Sequence, residues 1–302
     1  MITLAFTTDK DQLKNVGHYA AAFIDLLGQR ERFQGQNLLP IAETEEEKEK
    51  VLKIIKESIG PIDKLQRRAT EMMKSSNPNP DSKLRSMLSE SEQVKWDEMM
   101  CTTITTQRWS DGLFLFTSLA EELVKCPLNA IFRMFALTGA LCFMGLASKQ
   151  PLRGAIEVAW GAELQPGELY GPVVARAYEL ESEVADYPRI VIGPYLVNYL
   201  ELQRNNASEE HHDMVNQQLA SLCLKMLLRD TNGHWLLHYL GTDFRIAVTG
   251  SDHDKLYSLA KSFVNSQLSE HQSTLNTKLA DRYVHLQQYF EAHLPDHEQH
   301  KT

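Results

Sequence analysis

Two aspartates stand out for the company they keep. Asp25 is the one charged residue in the run Tyr19-Ala-Ala-Ala-Phe-Ile-Asp-Leu-Leu27, which closes at Gly28. A carboxylate in an otherwise apolar strand is costly unless a cation or hydrogen-bond donors meet it. Asp111 lies in Trp109-Ser110-Asp111-Gly112, between β-branched Thr102–Thr106 and apolar Leu113–Phe116. Asp-Gly between two such runs signals a hairpin, so Asp111 alone reads as a turn residue as readily as a ligand. Neighbouring placement of the strand and the hairpin would bring two carboxylates to one sheet edge. Such a pair repels unless a cation lies between, and hard oxygen ligands suit Mg²⁺ or Mn²⁺. Two such ions clamp the attacking and leaving oxygens of a phosphoryl or nucleotidyl transfer. Gly28 would let backbone N–H groups approach a triphosphate.

The elements that must position these residues follow from periodicity. Tyr19–Leu27 reads as a buried strand. Glu43–Lys56 is a charged helix with Val51, Ile54 and Ile55 on one face, continuing past Pro61 towards Met73. Ser75–Ser82, with Asn77-Pro78-Asn79-Pro80, is a break, and Leu84–Met99 is a second amphipathic stretch. The strand–turn–strand around Asp111 comes next, then Pro127–Ser148 as a buried helix and Arg153–Trp160 as a strand. Pro166-Gly167 marks a turn, Tyr170–Ala185 a helix with Pro172 in its first turn, and Arg189–Ile192 a short strand. The expected class is α+β in the ferredoxin-like βαββαβ order. Residues 1–200 would form the sheet-bearing domain, and 201–302 a mainly helical carboxy-terminal extension in which Asn232-Gly233 marks a hairpin. His253–His293 is expected to form one or two long amphipathic helices.

Several segments resemble the class III nucleotidyl (adenylate/guanylate) cyclases. Phe23-Ile24-Asp25-Leu26-Leu27-Gly28 is similar to the first metal-binding strand of that family, and Trp109–Phe114 to the hairpin carrying its second metal aspartate. Arg153-Gly154-Ala155-Ile156-Glu157-Val158, then Gly167–Pro172, resemble its central strand, hairpin and helix start, and Leu180-Glu181-Ser182 the end of that helix. The likeness covers roughly residues 17 to 195. It implies a cyclase palm, Mg²⁺ or Mn²⁺ held by Asp25, Asp111 and the backbone of Leu26, and a substrate touched by Leu27, Gly28 and Tyr170. It further implies a homodimer in which a ribose 3′-hydroxyl attacks the α-phosphate and pyrophosphate leaves. Tyr170–Pro172, Ala177–Glu181 and Asp186–Ile190 also resemble a divergent bacterial branch that includes the Pycsar pyrimidine cyclases, which implies UTP or CTP as substrate and a role in anti-phage signalling. One departure bears on catalysis. The helix positions where the family has Asn and, four residues on, Arg hold Ala175 and Glu179 here. Arg153 and Arg176 are the candidate replacements for the missing cation, whose role would be to stabilise the reacting phosphate. The alternative is a catalytically inactive cyclase fold that senses nucleotides or scaffolds a partner.

Composition bounds these readings. The chain has 302 residues, 43% hydrophobic and 24% charged, with a formal net charge of -9, a globular rather than disordered profile. Acidity argues against a nucleic-acid-binding face and against anionic membrane. The hairpin also lacks the Gly-Gly-Asp/Glu-Glu-Phe pattern of diguanylate cyclases. Phe135–Ala147 is too short an apolar stretch to span a bilayer. Cys101, Cys126, Cys142 and Cys223 form no Cys-x-x-Cys pair and read as reduced thiols, pointing to the cytoplasm.

Overall fold

A computed structural model describes residues 16–29, 42–75, 83–100, 102–109, 111–120, 125–208 and 210–295. Cys101, Ser110 of the hairpin turn, the Asn77–Pro80 break and the tail beyond residue 295 lie outside the described residues. In chain order the elements begin with β1 (Val16–Leu26), then helices α1 (Glu45–Ser58), α2 (Gly60–Ser75) and α3 (Glu90–Met100). The hairpin β2 (Thr105–Trp109) and β3 (Gly112–Ser118) leads to α4 (Pro127–Ala147), β4 (Leu152–Gln165) and β5 (Glu168–Tyr170). Next come α5 (Pro172–Glu179), a π turn over Leu180–Val184, β6 (Ile190–Ile192), α6 (Pro194–Arg204) and α7 (His211–Lys225). The short strands β7 (Leu227–Arg229) and β8 (Trp235–Leu237) precede the last two helices, α8 (His253–Ser273) and α9 (Thr277–Ala292).

The strands form one mixed sheet in the order β2-β3-β1-β4-β6-β8-β7, with β5 paired to β4. β1 runs antiparallel to both β3 and β4, and β6 runs parallel to β4. The central place of β1 follows from its composition. Alternate residues of a strand face opposite sides, and here both sides are apolar. Tyr19, Ala21 and Phe23 pack with Val173 and Ala177 of α5. Ala20, Ala22, Ile24 and Leu26 join the larger core built on α4. That helix is long and apolar enough to cross a membrane, yet 78% of its most apolar window is buried inside the fold. Antiparallel α8 and α9 pack over it as a second helical layer.

The expected elements around the aspartates are present, with shifted ends. β2 begins at Thr105 rather than Thr102, and its pairing Trp109↔Gly112 puts Asp111 immediately before the first residue of β3. The first long helix breaks at Ile59 into α1 and α2, because Gly60 and Pro61 interrupt the helical hydrogen-bond ladder. The segment after residue 200 is less purely helical than expected. Asn232-Gly233 does turn a hairpin, and its strands β7 and β8 join the same sheet through β6. Arg189 fastens that hairpin: its guanidinium donates to Asp230 Oδ2 (2.9 Å) and Tyr187 Oη (3.2 Å), while Asp230 Oδ1 accepts the N–H groups of Asn232 and His234.

Candidate functional site

Register alone brings the two aspartates together. Asp25 pairs with Gly112 on one side and Arg153 on the other, so Asp111 is the residue immediately before the cross-strand partner of Asp25. The period-two alternation puts Asp25 on the α5 side of the sheet, in line with Phe23 and Tyr19. Arg153, directly opposite, shares that face. Its Nη2 lies 3.7 Å from Asp25 Oδ2.

A third carboxylate completes the cluster. Glu181 Oε1 lies 2.7 Å from Arg153 Nε, and the Glu181 side chain is only 4% exposed. The contact is a close ion pair but too bent to satisfy either atom as a hydrogen bond. Glu181 stands in the π turn that follows α5. Such i→i+5 turns re-aim side chains and recur at functional sites. This residue was not singled out from the sequence as a site residue, although a signal exists. Val173 and Ala177 are the buried residues of α5, and one helical turn past Ala177 is Glu181, a carboxylate on the inward face.

Two carboxylates thus flank the Arg153 guanidinium, and the charge of Asp111 acts on both of them. Burial, and after it the Asp111 charge, push the Asp25 carboxyl up to about 6, against the pull of Arg153 and the Leu26 N–H. Burial pushes Glu181 up to about 7; Arg153 opposes, and the charges of Asp25 and Asp111 add to the rise. Both shifts mean that the ionised carboxylates are incompletely compensated by Arg153, so a cation placed between them would favour their charged forms. Among the described residues, no group of three His, Cys, Asp or Glu side chains is placed to hold a metal by itself. Asp25 and Asp111 could supply two hard oxygens, with further ligands coming from a backbone carbonyl, water and phosphate, as Mg²⁺ commonly uses. Only the backbone of Leu26 is available for that, since its side chain is buried in the α4 core.

The other expected residues fall at varied distances from this centre. Leu27 has already committed its N–H, to Pro151 O at 3.0 Å. Gly28 has φ +82° and open space where a Cβ would be, so a ligand can approach its backbone closely. Arg176 is directed away from Asp25: its guanidinium stacks 4.2 Å over the Tyr195 ring and its charge couples to Glu157 and Glu179. Tyr170 is half exposed on the short β5, at the far end of β4 from Arg153. Ala175 and Glu179 are exposed on α5, beside Tyr178.

One buried acid belongs to the architecture instead. Glu157 on β4 accepts the N–H groups of Val158 and Leu196, each at 2.8 Å, and so caps the start of α6. Three of the cysteines, Cys126, Cys142 and Cys223, are buried free thiols, and burial raises the pKa of each. No protein-family model matches the chain, and no curated protein matches it in sequence.

Proposed function

We propose that the chain is a nucleotidyl cyclase of the class III kind, acting on a nucleoside triphosphate at the Asp25–Asp111 centre. The observation that carries this reading is the in-register convergence of Asp25, Asp111 and Arg153 at one sheet edge, next to the open backbone of Gly28. The order β2-β3-β1-β4, antiparallel throughout, with helices bridging β1 to β2 and β3 to β4, supports a split βαβ palm of the ferredoxin-like type.

In this reading Asp25, Asp111 and the Leu26 carbonyl hold Mg²⁺ or Mn²⁺, which when bound supplies Lewis-acid polarisation of the phosphate oxygens. The chain's own residues do the rest. The Gly28 backbone cradles the triphosphate. The ribose 3′-oxygen bonds to the α-phosphorus, the bond from that phosphorus to the bridging oxygen breaks, and pyrophosphate leaves. The hydroxyl proton passes to solvent water. Among the described residues Arg153 is the guanidinium at the centre, and it moves from Glu181 onto the charge developing at the α-phosphate. UTP and CTP are the favoured substrates, on the resemblance to pyrimidine cyclases. A second copy of the chain is the partner. Tyr178 on α5 and Tyr195 on α6, the latter under the Arg176 guanidinium, are half exposed, a surface that a dimer would cover.

A specific observation favours a second reading, a nucleotide sensor without turnover. Arg153 is already neutralised by Asp25 and Glu181, Arg176 is stacked on Tyr195, and α5 presents Ala175 and Glu179. One experiment separates the two. The purified protein is incubated with ATP, GTP, CTP or UTP and Mn²⁺, and pyrophosphate and cyclic product are sought by mass spectrometry. A cyclic product that disappears in Asp25→Ala supports the cyclase. Metal-dependent triphosphate binding with no product from any nucleotide supports the sensor. A fully active Asp25→Ala protein overturns both.

A further inference from the structure

The turn Leu27–Gly28 has a second side. Behind it, away from Asp25, a cleft of about 690 Å³ opens between the end of β1, the residue pair Tyr187–Pro188 and the helical layer of α8 and α9. Its volume is in the range of small-ligand sites. Asp25 and Glu181 do not line it.

Two features of its wall are unexplained by packing. The first is Lys149. It sits just past α4, where the chain closes with Lys149 N–H donating to Leu146 O (3.1 Å) and Gln150 N–H to Gly145 O (2.8 Å). This paired closure requires a left-handed residue, usually glycine. Lys149 has φ +59°, a conformation a lysine adopts only at a cost, and it makes no ion pair among the described residues. Leu275 closes α8 in the same conformation, with φ +54°; of the two, Lys149 is the one that brings a cation to a cleft wall. The second is Arg282 on α9, which faces the same cleft and, among the described residues, pairs with Asp186 at 3.6 Å, a longer separation than a good charge-assisted hydrogen bond. Between the two cations the wall turns aromatic and hydrogen-bonding. Tyr187 lies between the His285 ring and the Arg189 guanidinium and so offers its edge, and Gln267, whose amide N–H donates to Glu270 (2.8 Å), stands one turn from His271 on α8.

We propose that this cleft binds a small phosphorylated ligand bearing a planar ring, of the nucleoside monophosphate class, with its phosphate on Lys149 and Arg282 and its ring against the edge of Tyr187 and the Gln267–His271 side of α8. The ligand touches Leu27 and Gly28 from behind, so its occupancy is felt two residues from Asp25. The C-terminal helical pair thereby becomes a regulatory element of the sheet edge. The site stands whether or not the Asp25 centre turns over substrate.

The test uses the full-length protein in EDTA, so that no divalent ion engages the Asp25 centre. Binding of AMP, GMP, CMP, UMP, ribose 5-phosphate and inorganic phosphate is measured by calorimetry, and backbone hydrogen exchange is followed over residues 25–29. At least one monophosphate is expected to bind at least tenfold tighter than ribose 5-phosphate and to slow exchange in that segment. Lys149→Gly and Arg282→Gln should each weaken it at least tenfold, while Asp25→Asn leaves it within twofold. Lys149→Gly should also raise the melting temperature, because glycine relieves the left-handed strain; higher stability with weaker binding separates a ligand role from a structural one. No monophosphate binding in EDTA, binding that survives Lys149→Gly and Arg282→Gln, or binding lost on Asp25→Asn would each overturn the assignment. Equal binding of inorganic phosphate and the monophosphates would overturn the ring site.

Discussion

Asp25 is held at an energetic disadvantage, and that gives a sharp expectation for Asp25→Asn. The carboxyl rises from the ordinary 3.8 to about 6. Folding therefore stabilises the protonated form. The contribution to stability is fully present below pH ~4, where the unfolded chain is protonated too, and is lost as pH rises through about 6. At ~1.4 kcal/mol per pH unit, the gap corresponds to about 3 kcal/mol of destabilisation at pH 8. The attractions of Arg153 and the Leu26 N–H are already inside that balance, since both oppose the rise. Asparagine keeps the shape and an oxygen to accept the Leu26 N–H while removing the charge. Asp25→Asn should accordingly be more stable than the wild type at pH 8 in EDTA, by about 1–3 kcal/mol, a gain of several degrees in Tm. The advantage should shrink steadily towards pH 4. Mn²⁺ should raise the wild-type Tm by mass action and leave the variant's unchanged. Urea unfolding at pH 4, 6 and 8, with and without Mn²⁺, reads all of this. A variant less stable than wild type at pH 8, or one equally responsive to Mn²⁺, would refute the reasoning, since either means that Asp25 is a structural partner of Arg153 and not an under-compensated charge.

Other residues carry independent expectations. Burial, and after it the charges of His293 and His253, hold His238 down to about 4, so the folded chain stays neutral there while the unfolded chain gains a proton below ~6.5; stability should fall by up to about 3 kcal/mol between pH 6.5 and 4, and His238→Gln should flatten that part of the Tm–pH curve. Gly193→Ala drives a methyl group into the Glu157 carboxylate where it caps α6; a loss of about 1–3 kcal/mol in urea unfolding is expected. Arg189→Met strands the nearly buried Asp230 and should cost about 3–5 kcal/mol, with faster hydrogen exchange in β7 and β8. Tyr178→Glu together with Tyr195→Glu should turn a dimer into a monomer by light scattering; a monomeric wild type would remove the dimer from the proposal.

The local signals around the centre were legible because each is a contrast within a few residues. One acid in an apolar run gave β1, Asp-Gly between β-branched and apolar segments gave the hairpin, and an apolar stretch opened by Pro127 gave α4. What stayed hidden depends on distant pairing. β7 and β8 are three residues each, too short to show a period, and only their pairing through β6 makes them strands of this sheet. Glu181 and Arg153 lie on different elements, and nothing local in either segment announces a 2.7 Å ion pair. The sequence did expose Arg176 as a cation near the right helix, but the side chain's direction is set by Tyr195, which arrives from α6.

The register that joins Asp25 to both Gly112 and Arg153 also fixes when the centre can exist. Its members come from β1, the β2–β3 turn, β4 and the π turn after α5. During synthesis β1 therefore emerges with its carboxylate but without either neighbour, and must wait for a long stretch of chain before it is flanked. Pairings of such wide sequence separation form late and slowly, and an unflanked apolar strand is prone to wrong partners meanwhile. A slip of one residue would turn Asp25 into the α4 core. The carboxylate thus weighs on the register of β1: a slipped strand would bury a bare charge, at a cost that the in-register pairing avoids.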